Sequence, residues 1–132
     1  MRNKAFTLVE LLAVITILAL LALIALPTIS KQMGNSKETL YNAQIKSIEE
    51  SAKAWGADNL FKLPIDDTCI TVTLGYLKDL GYIDSTVTNP KSNEEFSNTE
   101  TFVNIKKEQN QYVYEVKTSG TKCELVDDDI TN

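Results

Sequence analysis

From Leu11 to Leu26 every residue except Thr16 is apolar, a run too long and too greasy to be left in water. Extended back to Phe6 it makes 21 residues, about 31 Å as a helix, which matches the hydrocarbon thickness of a bilayer. Arg2 and Lys4 precede the run and an acidic body follows it. That asymmetry favours an N-terminus that stays on the cytoplasmic side. One residue resists so simple a picture. Glu10 stands between Val9 and Leu11, where a carboxylate costs on the order of 2.5–3.5 kcal/mol on insertion scales unless it finds a partner. A secretory signal needs a small-x-small cleavage site after its apolar core, and "LIALPTIS" offers none. A plain single-span anchor fits the length but leaves Glu10 unexplained.

The stretch "KAFTLVELLAVI" resembles the class III signal of type IV prepilins and pseudopilins: a short basic leader, a small residue, Phe, Thr-Leu, a hydrophobic residue and Glu. The resemblance implies that a prepilin peptidase cuts between Ala5 and Phe6 on the cytoplasmic side and methylates the new amine of Phe6. Ala5 stands where the family usually has Gly. Pro27 falls where such pilins commonly carry a proline. Cleavage would also supply the missing partner, because a charged Phe6 amine on one subunit can meet Glu10 of an axially offset neighbour. Neither charge then stays unpaired among hydrocarbon. Desolvation offsets much of the Coulomb gain, so such a pair fixes register more than it adds stability.

Beyond Ala5 the chain carries eleven basic residues against eighteen acidic ones. A net −7 body argues against nucleic acid, whose phosphates require a basic footprint, and no direct nucleic-acid site is identifiable. The absence of His removes the commonest general base and metal ligand. No Ser lies in a G-x-S-x-G turn, and no phosphate-binding glycine loop is present. Asp66-Asp67, Glu94-Glu95 and Asp127-Asp128-Asp129 match no EF-hand loop and read as solvated charge. Major pseudopilins can hold calcium in a loop, and on that resemblance alone Asp127 to Asp129 form a calcium candidate. The residues themselves define no metal site, no cofactor and no enzyme. Cys69 and Cys123 are either two separate buried thiols or, beyond a membrane, one disulfide. Such a bond would close about 54 residues, worth roughly 4 kcal/mol on the chain-entropy account.

Pro27 lacks an N–H and crowds the carbonyl of Leu23, which predicts a kink or local opening. After it, Ile29, Met33, Leu40, Ile48, Ala52 and Trp55 recur at helical spacing and predict a core-facing stripe with Trp55 as an anchor. Gly34 and Asn35 weaken that helix, and Gly56 with Asp58 and Asn59 suits its end. The pattern predicts one helix from about Phe6 to Ala57, about 78 Å if continuous.

Leu60 to Pro64 reads as a loop, and "TCITVTLGYLKDLGYI" as an apolar start leading into a short helix. Thr71 or Thr73 would cap that helix, Leu74, Leu77 and Leu80 would share a face, and Gly81 would end it. "DSTVTNPKSNEEFSNTE" reads as loop. "TFVNIKK" and "YVYEVKT" around "EQNQ" predict a hairpin, and "TKCELV" a short last strand. The run from Gly75 to Ser92 followed by a hairpin is similar to the ectodomains of Gram-positive pilins and pseudopilins.

The expected architecture is α+β and type IV pilin-like: a cleaved leader (1–5), a membrane-spanning, filament-core helix (6–27), its amphipathic continuation (28–58), and a small head (59–132) with an antiparallel sheet. The resemblance implies a single-pass precursor with a cytoplasmic N-terminus that self-associates into an extracellular helical filament. Its implied partners are the prepilin peptidase, an inner-membrane assembly platform, a motor ATPase and minor pilins. A pseudopilin of a competence DNA-uptake or type II-like secretion system is the alternative within that class. A membrane-anchored extracellular binding module is the alternative outside it.

Overall fold

The computed structural model describes residues 5–126. The leader residues 1–4 and the calcium candidate at Asp127 to Asp129 lie outside them. The chain divides into two compact units, Met1–Lys37 and Glu38–Asn132. One helix, α1 (Leu8–Asp58), contributes to both.

The second unit is built on the last third of α1. Ile48, Ala52 and Trp55 are fully buried, as the spacing predicted, and Tyr41 and Ile45, outside the predicted stripe, are partly so. Ile29, Met33 and Leu40 belong to the same stripe but stay exposed in the single chain. Gly56 is not the helix terminator expected of it. It lies inside α1 and is buried, while Asn59 closes the end by donating Nδ2–H to the Trp55 carbonyl at 2.9 Å. Tyr82 adds a hydrogen bond to Asp58 at 2.8 Å, and that bond holds its phenol above the ordinary tyrosine range.

After a short 3₁₀ turn (Leu60–Lys62) come β1 (Cys69–Thr73), α2 (Leu74–Asp79), β2 (Thr88–Asn89), β3 (Glu94–Glu95), β4 (Phe102–Glu108), β5 (Gln111–Lys117) and β6 (Glu124–Leu125). The main sheet has the order β5-β4-β1-β6. β4 and β5 form the predicted hairpin, closed by Gln109 and Asn110 alone, both at positive φ. β1 pairs antiparallel with β4, Val72 opposite Val103 and Thr71 opposite Asn104. β6 pairs with β1 in parallel, so the sheet is mixed rather than wholly antiparallel as expected. The stretch read as loop contains a further two-stranded ladder, Thr88–Asn89 with Glu94–Glu95, turned through Asn93 at φ 59°. Thr73, not Thr71, caps α2 by accepting from the Tyr76 N–H at 3.2 Å. Gly81 follows at φ 81°, where a Cβ would be strained, but Leu80 falls past the helix end and is exposed.

Alternation along the strands sorts the sheet into two faces. Ile70, Val72, Val103, Ile105, Tyr114 and Val116 join α1 in the core. The opposite face carries Thr71, Phe102 and Asn104, yet these are buried too. Topology supplies their cover. The link from β5 to β6 must cross β4 and β1, and α1 occupies the first face, so residues 118–123 run over the second. There the Lys122 ammonium lies 5.6 Å from the Phe102 ring centre, and a disulfide joins Cys123 to Cys69. The Thr71 hydroxyl accepts from the Cys123 N–H at 2.7 Å and donates to Asn104 Oδ1 at 2.6 Å. Asn104 Nδ2 donates onward to the Thr121 carbonyl at 3.3 Å.

α1 approaches the sheet so closely at Gly56 that a Cβ there would overlap the Tyr114 hydroxyl. Gly56→Ala is therefore expected to destabilise the head by about 1–2 kcal/mol, overpacking outweighing the better helix propensity. In a Tyr114→Phe background the same change should be near neutral. Urea unfolding of the four chains of this double-mutant cycle measures the coupling.

Candidate functional site

The N-terminal segment starts its helix late. α1 begins at Leu8, so Ala5 and Phe6 lie outside it as exposed, non-helical chain, with Phe6 86% accessible. What sets that boundary is Thr7. Its hydroxyl accepts from the Glu10 N–H at 3.3 Å, and Glu10 Oε2 accepts from the Thr7 N–H at 3.2 Å. This reciprocal capping box satisfies two backbone donors that a helix start leaves orphaned. The carboxylate that looked unpartnered in the sequence therefore has a partner in its own chain, two residues from the Ala5–Phe6 bond. Thr7 was missed as a functional residue, although T-x-x-E before an apolar run is the signature of such a cap.

From Leu8 to Leu26 the large apolar side chains are 52–74% exposed. The helix is long and apolar enough to cross a membrane. Its hydroxyls make no demand on hydrocarbon, because Thr16 donates back to the Leu12 carbonyl at 2.7 Å. Pro27 sits within α1, which stays α-helical through it. The Thr28 and Ser30 hydroxyls donate to the carbonyls of Ile24 and Leu26 beside it, at 3.3 and 3.1 Å. α1 runs on without interruption through Gly34 and Asn35, which were expected only to weaken it.

The structure gathers Ala5, Phe6 and Glu10 at one helix start and joins Cys69 to Cys123 in the other unit. Asp66 and Asp67 lie on an exposed loop. Asp67 and Glu108 border an open cleft of about 570 Å³ beside the β4–β5 turn. Among the described residues no three His, Cys, Asp or Glu side chains converge as a metal site would need.

Residues 1–26 match the family model of the prokaryotic N-terminal methylation motif. The chain thus carries a type IV prepilin-type signal ahead of a long apolar helix and a small α+β head. The signal supports a pilin- or pseudopilin-like precursor handled by a prepilin peptidase, and the helix behind it is long and apolar enough to anchor such a chain in a membrane. No curated protein and no solved structure matches the chain.

Proposed function

We propose that this chain is a structural subunit of a type IV filament. The peptidase removes residues 1–5, methylates the Phe6 amine, and releases a helix that leaves the bilayer to pack with other copies while the head faces outward. In lipid there is no hydrophobic drive for such helices to associate. Extraction therefore needs work from an assembly platform and its motor ATPase. Glu10 then offsets the Phe6 amine of a neighbour and sets the axial register. The match over residues 1–26 carries this reading. The exposed Ala5–Phe6 bond just ahead of the Thr7–Glu10 cap supports it.

The test is the mass and N-terminal sequence of the chain co-expressed with a prepilin peptidase. A mature protein beginning at N-methylated Phe6 is expected. Ala5→Trp should abolish processing, since the residue before the cut must be small. A product still beginning at Met1 in the unmutated chain sinks the proposal.

A further inference from the structure

We propose that the C-terminal strap, residues 118–126, is a separately opening unit whose seating depends on the oxidation state of Cys69 and Cys123. The strap crosses the back of the sheet and ends in a strand of only two residues. Beyond its two-residue ladder with β1 and the partly buried Val126 against the core, its hold on the sheet is narrow. Thr71 receives the Cys123 N–H through its hydroxyl and the Val126 N–H through its carbonyl, at 2.7 and 3.1 Å. Asn104 receives nothing from the strap but donates to the Thr121 carbonyl. Gly120, at φ 120°, has no Cβ with which to pack. Against these few bonds stands the entropy of ordering nine residues, the largest opposing term in folding. The disulfide tips that balance by restricting where the freed strap can go.

The rest of the head does not rely on the strap for most of its core. α1 covers the other face of the sheet, and β4 is flanked by β5 and β1 without help from β6. When the strap lifts, Thr71 and Asn104 meet water, so no buried polar group is stranded. Phe102 is uncovered, and β1 becomes an open edge where β6 had paired. A chain whose cysteines are still thiols thus differs from an oxidised one in which surface its sheet presents.

The trigger is thiol–disulfide exchange. An external dithiol such as dithiothreitol breaks the Cys69–Cys123 bond. Each cysteine sulfur gains an electron and a proton, and the reagent closes to its own cyclic disulfide.

Hydrogen exchange on the full chain in detergent micelles, oxidised and then reduced, reads the device directly. Reduction should speed exchange at the Cys123 and Val126 amides by about a hundredfold, the order expected of a lost cross-link. The β4–β5 ladder amides should keep their protection. A Cys69→Ser, Cys123→Ser chain should match the reduced protein. The proposal is overturned if the strap amides stay as protected after reduction, which would make the Thr71–Asn104 bonds sufficient. It also fails if the β4–β5 amides open together with the strap, which would mean no separate unit exists.

Discussion

Trp55→Ala is expected to lower the stability of the head by about 3–5 kcal/mol, the range for truncating a fully buried large aromatic. The indole has no accessible surface, lies edge-on to Tyr76 with ring centres 6.0 Å apart, and belongs to the central cluster between α1 and the sheet. Among the described residues its Nε1–H has no hydrogen-bond partner. Leaving a buried donor unmet costs about 1–3 kcal/mol. Trp55→Phe removes the orphaned donor along with some volume and should lose less than half of what the alanine variant loses. Thermal unfolding followed by tyrosine near-ultraviolet circular dichroism compares the two. Equal losses would show that the indole nitrogen has a partner in solution.

Glu10→Ala should have effects of opposite sign on insertion and on assembly. Removing the carboxylate eases entry into the bilayer by about 2.5–3.5 kcal/mol on insertion scales. It also removes the carboxylate half of the Thr7–Glu10 capping box and the proposed partner of a neighbour's amine. The expected result is a well-inserted precursor that yields no surface filaments. Glu10→Gln separates the two roles, because glutamine completes a capping box as glutamate does but carries no charge. If sheared filaments are lost in both variants, the charge is what assembly requires. If the glutamine variant assembles, the cap is the role and the register pairing is wrong.

The apolar run was legible because it is local, whereas the T-x-x-E start, equally local, went unread. One concerns composition over a bilayer's thickness, the other two hydrogen bonds within a single turn. The hairpin was legible for the same reason, although "EQNQ" concealed a two-residue turn that lacks the usual glycine. β1 went unread as a strand, even though Cys69, Thr71 and Thr73 alternate with Ile70 and Val72. Five residues running straight into a capped helix look like that helix's apolar start. The parallel pairing of β6 was beyond reach, since nothing within "TKCELV" specifies a partner more than fifty residues earlier. Thr71 and Asn104 look like solvent-facing positions of half-buried strands. Only the strap, whose path is set by sheet order, makes them interior.

The Cys69–Cys123 bond also has a mechanical consequence. A pull on the C-terminal end is passed at Cys123 straight into β1, so the two-residue β6 ladder carries little of the load. The 53 residues between the two cysteines, a sequence separation of 54, are withheld from extension, about 180–190 Å of contour that an intact bond never pays out. Stretched from its helix to its last residues, an oxidised head can lengthen only through the chain outside that loop.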